Sequence, residues 1–457
     1  MNTPFSRTLL ATSLLFISSA STAGGFQVNE HSATGLGRAF AGEAVIADNA
    51  SVLSRNAAAM MMFDKDAFSM GMTMVKPDVS VKDGNYNRLE ADIDLSVNKG
   101  SGFLPIPSFD ASGHAVIQSQ SIKNVDNVAP VAVVPSFYYI HPINNKFAVG
   151  VAAYSNFGTG TEFKSNYEAP IFGGKTSVQS MNLGLNLAYR INQNLSFGGG
   201  VDIIYGVGDL YRDADLGVCG NIHVDAGIIN KNPEFNGRGC GNLKVNALDV
   251  HATGVGLGGN IGMVYEVNDG NRFGLSYKYS PEIEAKGDVK YLAASQQSDK
   301  IYLPLPDIAE FSGFHMITDK TAIHYSIQWI GWSAFDTIDT EYDTIKEYHW
   351  KDSYHYSIGA THYLNNKWVL RTGYMYDQTP VDELTSISIP DSDRQWFSAG
   401  FTYNWSTSTT LDFGFTYLIG EDVQAHEYLE EGVEAISISA TTHADAILAA
   451  IQLSHSF

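Results

Sequence analysis

The amino-acid sequence predicts an all-β protein, an antiparallel transmembrane β-barrel of about 14 strands. After residue 24 the chain has no apolar run of about 18 residues, so it offers no transmembrane helix. Apolar and polar residues alternate in many segments, which indicates strands with two unlike faces. Short and long polar breaks also alternate along the chain, as the periplasmic turns and external loops of bacterial barrels do.

The composition suits a protein surrounded by lipid. Only 17% of the 457 residues are charged, aromatic residues make up 12%, and there are 43 glycines. Soluble domains carry roughly 25% charged residues. The formal net charge of -21 argues against nucleic acid as a partner, because phosphate binding needs a basic face.

The N-terminus has the pattern of a secretory signal peptide, which we assign to residues 1–23. Arg7 supplies a positive charge, residues 9–20 are apolar, and Ser21 and Ala23 provide the small residues that precede cleavage before Gly24. The alternative is an uncleaved anchor helix, but the apolar stretch is shorter than the ~20 residues that a span needs.

Alternation is clearest in several segments that we predict as strands of a barrel covering residues 67–457. Apolar residues recur at every second position in three of them: Met70, Met72 and Met74; Leu183, Leu185 and Leu187; Phe413, Phe415 and Tyr417. The last segment places Ile447, Ile451 and Leu453 on one face, and the chain stops at Phe457. A terminal aromatic on such a strand resembles the signal that the outer-membrane barrel-assembly machinery reads.

The same alternation would suit a soluble β-sandwich, so the lengths of the connections are needed to distinguish the two folds. Short polar turns are predicted at 142–146, 191–194, 267–271, 318–320, 364–367 and 404–409. Long connections are predicted near 82–126, 158–175, 213–246, 286–307, 337–346, 379–389 and 422–440. Six turns and seven loops make thirteen connections, hence about 14 strands.

Apolar and polar residues do not alternate in residues 24–66, so these residues are not predicted to form part of the barrel wall. They are a plug, or hatch, if they lie inside the barrel, and a periplasmic tail if they lie outside. Their moderate hydrophobicity favours the hatch, because a solvated tail is normally more polar.

The two cysteines, Cys219 and Cys240, suit a loop-closing disulfide in an oxidising compartment, with two free thiols as the alternative. No metal site is expected, since His223 is the only nearby candidate ligand. No cofactor is expected either: the glycine pattern at 254–259 matches G-x-G-x-x-G but lies within an alternating strand with no helix after it.

Three features are candidates for function. Arg212 ends a predicted strand, where it either pairs with neighbouring aspartates or receives a carboxylate. Ile301, Leu303 and Leu305 are apolar residues of a predicted external loop, which indicates either a binding surface or packing against another loop. Ser353 and His355 share one face of a predicted strand, as a barrel-embedded lipase requires, but nothing marks the serine as activated.

The sequence resembles the FadL-type outer-membrane transporters of long-chain fatty acids and related hydrocarbons. The resemblance spans nearly the whole chain, with diverging loops. The motifs that carry it include Gly25-Phe26-Gln27-Val28-Asn29-Glu30, Gly35-Leu36-Gly37-Arg38-Ala39, Ser54-Arg55-Asn56, Arg371-Thr372-Gly373 and Ser386-Ile387-Ser388-Ile389-Pro390-Asp391.

The resemblance implies a passive route for a hydrophobic ligand. The ligand is captured by external loops, here 213–246 and 286–307, and its carboxylate is received by Arg212. The hatch then shifts, a movement we assign to the turn at Arg55, Asn56, Ala57 and Ala58. The ligand leaves sideways where the third strand kinks, which falls on Asn156, Phe157 and Gly158.

This sequence departs from the family in two places. The hatch motif Asn-Pro-Ala is Asn56-Ala57-Ala58 here, which predicts a less rigid turn. A gapped comparison puts Asp339 where the family has a second basic residue, which predicts competition with a carboxylate ligand.

Two other functions therefore stay open beside fatty acid transport. One is the transport of neutral or aromatic hydrocarbons in the same fold, and the other is a general diffusion porin. The acidic external loops are interpreted as solvated charge, with divalent cations beside lipopolysaccharide as the alternative.

Overall fold

A computed structural model describes residues 25–98, 108–224, 235–292, 296–382, 384–430 and 433–457. The predicted signal peptide at 1–23 lies outside the described residues. The described part is almost entirely β-structure. Its strands are β1 Ala67–Asn98, β2 Ser108–Ser121, β3 Val125–Asp126, β4 Ala132–Asn144, β5 Phe147–Tyr154, β6 Gly158–Glu162, β7 Lys175–Arg190, β8 Leu195–Val224, β9 Phe235–Asn268, β10 Asn271–Tyr279, β11 Ile283–Tyr291, β12 Ser298–Leu303, β13 Ile308–Thr318, β14 Thr321–Ile330, β15 Thr337–Thr340, β16 Thr344–Glu347, β17 Ser353–Tyr363, β18 Trp368–Asp377, β19 Arg394–Asn404, β20 Thr409–Gly420, β21 Val423–Glu430 and β22 Val433–Ser456.

These strands form a closed antiparallel barrel. Its wall runs β1, β4, β5 with β6, β7, β8, β9, β10 with β11, β13, β14, β17, β18, β19, β20 and β22, and the pairing of β22 with β1 closes the circle. Counting β5 with β6 and β10 with β11 as single broken strands, the wall has 14 strands. The fold prediction is confirmed, and the six short turns fall between the strands where they were predicted.

The two faces of the wall differ as the alternation predicts. Met72, Leu185 and Ile451 are exposed on the outside, as lipid-facing residues are. Polar neighbours such as Thr73 and Gln452 are buried toward the lumen. Among the described residues, no helix is long and apolar enough to span a bilayer.

The connections predicted near 82–126 and 213–246 are hairpins rather than loops. β1 continues to Asn98 and pairs with β2, and β8 pairs with β9 as far as Val224. Residues 90–97 of β1 also pair in parallel with residues 217–224 of β8, which joins the two hairpins. The loop prediction was wrong in β1 because the polar run at 82–85 is an irregularity within the strand rather than its end, and apolar residues such as Ile93 and Leu95 alternate with polar ones beyond it.

The N-terminal segment, residues 25–66, lies inside the barrel. It contains helix α1 Ala33–Leu36 and two short 3-10 helices, Ala50–Ser54 and Ala57–Met62, while a third 3-10 helix, Trp332–Ala334, lies between β14 and β15. Helix α1 contacts β19, β20 and β22, and the 3-10 helix at 57–62 contacts β7, β8 and β9. Residues 25–61 are buried apart from Ala47 and Asp48. The segment therefore fills the lumen.

Glycines of the wall allow the backbone of this segment to come unusually close. A Cβ atom on Gly373 would lie 2.1 Å from the carbonyl oxygen of Arg38, and one on Gly198 would lie 2.4 Å from the Ala58 nitrogen. Gly274 and Gly414 face the backbone of the segment in the same way, and a Cβ atom on Gly262 would meet the Asn56 side chain at 2.0 Å. No other residue fits at such an approach.

Candidate functional site

Arg212 is a buried cation near the external end of the membrane-spanning part of β8, with 8% of its surface exposed. Its guanidinium donates to the carbonyl oxygens of Lys175 and Tyr211 at 2.7 and 2.8 Å, and to the hydroxyl of Thr176 at 2.7 Å. Within the described chain, no carboxylate lies within 4.0 Å of it. Pairing with neighbouring aspartates, one of the two alternatives from the sequence, is therefore not what the structure shows.

A cavity of about 440 Å³ opens beside this guanidinium. Its walls are largely apolar, with Phe172, Leu248 and Ile338 among them. Its charged side chains are Arg212, Lys346, Glu347 and Glu427. An apolar chamber with a cation at one end can accept a molecule with an acidic head and a hydrocarbon tail.

Lys346 is a second cation of this cavity, which the sequence comparison missed. Asp339, which the comparison aligned with a second basic residue, accepts hydrogen bonds from the hydroxyls of Thr337 and Thr344 at 2.6 Å each and does not line the cavity. Lys346 lies later in the same β15–β16 hairpin and forms an ion pair with Glu427. The carboxylate paired with a cation of the cavity is thus Glu427, and Asp339 lies outside the cavity.

Ile301, Leu303 and Leu305 do not form an exposed external surface. Ile301 and Leu305 are 7% and 3% exposed, and Leu303 is partly buried. They belong to an apolar cluster that includes Phe26 of the N-terminal segment and Trp332. Of the two alternatives from the sequence, packing against other elements is the one that the structure shows.

Aromatic rings connect the cavity to the barrel wall in an unbroken series. Tyr348 lines the cavity, and its ring centroid is 4.7 Å from that of Phe335. Phe335 lies 5.0 Å from Phe26, which lies 6.0 Å from Phe157. Phe157 belongs to the interruption between β5 and β6. An apolar path therefore runs from Arg212 to this interruption, with Phe26 within it.

At this interruption the wall is not fully paired. β4 pairs with β5 from Phe137 onward, but among the described residues 132–136 of β4 have no strand partner on that side. A hydrogen bond of 2.7 Å from the Glu162 amide to the Val128 carbonyl closes the gap on the external side. The gap is a lateral interruption of the barrel wall.

The N-terminal segment occupies the inner side of this gap. The amide of Gly158 donates to the Phe26 carbonyl at 2.8 Å, and the amide of Val28 donates to the Asn156 carbonyl at 2.7 Å. Asn156 and Phe157 are each 1% exposed. The three residues assigned to the kink therefore lie together, covered by residues 26–28.

Gly158 does not owe its place to a backbone conformation that only glycine adopts. Its φ is outside the left-handed region, and an added Cβ would meet the Val28 side chain at an ordinary 3.4 Å. The bend therefore does not require glycine at this position. The size of a side chain at position 158 is limited by the space between the backbone and Val28.

Comparison with known proteins agrees with this architecture. The model of the family described as outer membrane protein transport protein (OMPP1/FadL/TodX) matches residues 14–457. The long-chain fatty acid transport protein of Escherichia coli K12 is 34% identical over 452 residues, covering 93% of this chain and 94% of that protein. The chain belongs to the FadL family.

Further FadL-family relatives match over similar lengths. Outer membrane protein P1 of Haemophilus influenzae Rd is 33% identical over 474 residues, covering 99% of each chain. The crystal structure of a Pseudomonas aeruginosa FadL homologue covers 95% of this chain and 100% of its own, with a TM-score of 0.74 at 19% identity. The Pseudomonas putida toluene transporter TodX covers 96% of this chain and 99% of its own, with a TM-score of 0.60 at 16% identity. These two structures share the fold, and the family places the chain in the outer membrane.

In this FadL-family chain, a buried aspartate holds the first described residue. The Gly25 amide donates to Asp391 Oδ2 at 3.1 Å, and Arg394 lies 2.8 Å from the other oxygen. Asp391 belongs to the connection between β18 and β19. Burial raises its pKa to about 6, although the Arg394 guanidinium acts in the opposite direction.

The hatch turn is fixed by a side chain rather than by proline. Asn56 Oδ1 accepts from the Ala58 amide at 3.0 Å, as an N-cap does, and its Nδ2 donates to the carbonyls of Ala44 and Met263 at 2.7 and 3.1 Å. Ala57 stands at the first helical position, which proline favours. Next to it, Arg55 lies 3.5 Å from Glu310 of β13.

The remaining candidate residues have simple places in the FadL-family fold. Cys219 and Cys240 face each other across β8 and β9 and are bonded to each other. The buried hydroxyl of Ser353 has no hydrogen-bond partner in the described structure, and His355 contacts Asn29 and Asp377 instead. The serine and histidine therefore do not form the pair that nucleophilic catalysis needs.

Proposed function

We propose that this protein carries hydrophobic compounds, long-chain fatty acids first among them, passively across the outer membrane. The observation that carries the proposal is Arg212, a buried guanidinium held by neutral oxygens in a largely apolar cavity. A buried cation without a carboxylate partner attracts one. Relatives named long-chain fatty acid transport protein support the choice of ligand.

The route begins at the external side, where the cavity receives the ligand with its carboxylate at Arg212. The apolar cluster from Tyr348 to Phe157 guides the hydrocarbon tail to the gap between β4 and β6. The turn at residues 55–58 and the residues covering the gap act as the gate. A hydrocarbon tail prefers the bilayer to water by ~0.8 kcal/mol per CH₂, so partition drives the movement and no reaction is catalysed.

Neutral or aromatic hydrocarbons are the second candidate ligands. The ion pair of Lys346 with Glu427 favours them, because it neutralises one of the two basic residues of the cavity. Among the described residues, Arg212 is then the one cation of the cavity left for a ligand carboxylate. A ligand without a carboxylate would leave that ion pair intact.

A general diffusion porin is a weaker candidate, because residues 25–61 fill the lumen. Two kinds of partner complete the proposal. Phe457 is exposed directly after β22, and the barrel-assembly machinery would read this aromatic side chain together with the strand. Outer-membrane lipids and lipopolysaccharide would surround the wall.

The test is oleate uptake by cells that lack their own fatty acid transporter and express this protein. We expect uptake to be restored. We also expect Arg212→Ala to weaken oleate binding about tenfold or more, because a hydrogen bond to a charged group is worth about 1.5–3 kcal/mol. Binding of oleyl alcohol should change little.

Arg88→Ala is the matched control, since Arg88 lies in the external part of β1 and pairs with Glu90. Absence of uptake by a folded barrel would refute fatty acid transport. Equal losses for oleate and oleyl alcohol would mean that Arg212 has a structural role.

A further inference from the structure

Three side chains form a closed polar group in the wall of the cavity. Lys346 Nζ donates to the Ser386 hydroxyl at 3.0 Å and forms an ion pair with Glu427. The Ser386 hydroxyl lies 3.1 Å from both carboxylate oxygens of Glu427. The Ile387 amide donates to Glu427 Oε2 at 3.2 Å. Glu427 thus binds the Lys346 ammonium, the Ser386 hydroxyl and the Ile387 backbone amide at once.

Glu427 has the same chemistry as the head of a fatty acid. It is a carboxylate, it is only 9% exposed, and it faces the same cavity as Arg212. A ligand carboxylate that enters the cavity therefore competes with Glu427 for Lys346. If the ligand takes the lysine, Glu427 becomes a buried charge without its cation, which is a costly state.

The segment that Glu427 binds continues to Asp391 within a few residues. Asp391 binds Gly25, and we call this hydrogen bond the N-terminal anchor. The Thr161 hydroxyl donates to the Ser388 carbonyl at 2.7 Å, and Ile389 packs in the same apolar cluster as Phe26. Asp391 then accepts the Gly25 amide at 3.1 Å. Residues 386–391 therefore join the cavity at one end to the segment that covers the wall gap at the other.

We propose that Glu427 is a resident counter-ion that a ligand carboxylate replaces at Lys346, and that its displacement loosens residues 386–391 and so releases the N-terminal anchor at Gly25. Glu427 would then determine which ligands open the gate. A carboxylate ligand displaces it, whereas a neutral ligand of the same length fills the cavity and leaves the anchor in place. The inference rests on the proposed function.

Two substitutions at position 427 separate the two roles of the side chain. Glu427→Gln keeps an oxygen for the Ile387 amide but frees Lys346, so oleate should bind about tenfold more tightly, as expected for one charge-assisted hydrogen bond. Glu427→Ala removes the hold on residues 386–387 as well. Glu284→Gln is the matched control, because Glu284 also pairs with lysine but is exposed and does not line the cavity.

Release of the anchor is measured as hydrogen exchange of the amides of residues 25–31 in the purified full-length mature protein in detergent. In the native protein, oleate should accelerate exchange and oleyl alcohol should not. Without ligand, Glu427→Ala should exchange faster than the native protein, while Glu284→Gln should match it. With oleate, Glu427→Gln should show a smaller acceleration than the native protein, because a neutral amide stays on the Ile387 amide.

Two outcomes would overturn the inference. One is oleate affinity in Glu427→Gln equal to that of Glu284→Gln. The other is unchanged exchange at residues 25–31 in ligand-free Glu427→Ala, in a barrel shown to be folded by its heat-modifiable migration in gels. The ligand-free comparison tests the anchor even if oleate does not bind the native protein at all. Failure of the proposed function and failure of this inference are therefore distinguishable.

Discussion

Gln27 of the N-terminal segment and Phe157 of the barrel wall are directly opposite partners in an antiparallel bridge. The hydrogen bonds that hold them run between their neighbours, from Val28 to Asn156 and from Gly158 to Phe26. They are therefore a non-hydrogen-bonded pair, whose Cα atoms lie about 4.5 Å apart in such ladders. This pairing covers the wall gap from inside.

The first prediction follows from that geometry. A Cα separation of about 4.5 Å suits a disulfide, so the double substitution Gln27→Cys and Phe157→Cys should lock the segment to the wall. Oleate uptake should fall to background under oxidising conditions and recover with reductant. The two single substitutions, treated alike, control for reduction of the native disulfide. Full uptake by the cross-linked protein would mean that ligands leave elsewhere.

A second prediction concerns the space in front of Gly158. Gly158→Ala should be nearly neutral, because the added Cβ would meet Val28 at 3.4 Å. Gly158→Phe should slow uptake severely, since its ring must displace Val28 or enter the gap. Uptake and the heat-modifiable migration of the barrel are measured for both variants. Equal uptake by the two would remove Gly158 from the exit route.

A third prediction tests how the lumen is sealed. Gly373→Val places a side chain against the Arg38 carbonyl, where even a Cβ atom would lie at 2.1 Å. Overpacking of this kind costs about 1–3 kcal/mol, so the N-terminal segment should be displaced and ion conductance across planar bilayers should rise. Gly241→Val is the control, because nothing lies within 4 Å of a Cβ on Gly241. Conductance as low as that of the control would contradict the prediction.

A fourth prediction concerns the capping role of Asn56. Asn56→Ala removes the N-cap of the 3-10 helix and the bonds to Ala44 and Met263, so docking of this helix should weaken by about 1–2 kcal/mol. Amides of residues 57–62 should exchange about tenfold faster or more, as that energy implies. Asn365→Ala, in an exposed turn, should leave that exchange unchanged. The assignment fails if both variants exchange alike.

The barrel itself is readable from the sequence because lipid imposes a simple rule on it. A strand between lipid and lumen must alternate, and Met72 and Thr73 show this directly, one exposed and the other buried. The external extension of β1 was predicted as a loop because the polar run at 82–85 interrupts the pattern. Residues 90–97 alternate again and pair with β8, and the run at 82–85 is an irregularity within the strand.

The residues of the cavity can be predicted from the sequence only in part. A resemblance and a strand end both point to Arg212, but the pairing of β7 with β8 that brings Lys175 and Thr176 to its guanidinium is not evident from the sequence. Lys346 and Glu427 belong to separate hairpins and become one ion pair only when the barrel closes. For Ile301 and Leu305 the sequence left a binding surface and packing as alternatives, since it does not show that an aromatic cluster packs against them.

The fit between wall and N-terminal segment also limits how such proteins can diverge. At Gly198, Gly262 and Gly373 the absence of wall side chains leaves the space that the N-terminal segment, residues 25–66, occupies. The barrel wall therefore sets the shape of this space, and the segment fills it. Neither half can change its backbone path alone. A chimera that joins residues 25–66 of a relative to this barrel would have a tight lumen only if the relative's own wall carries glycine at the same places.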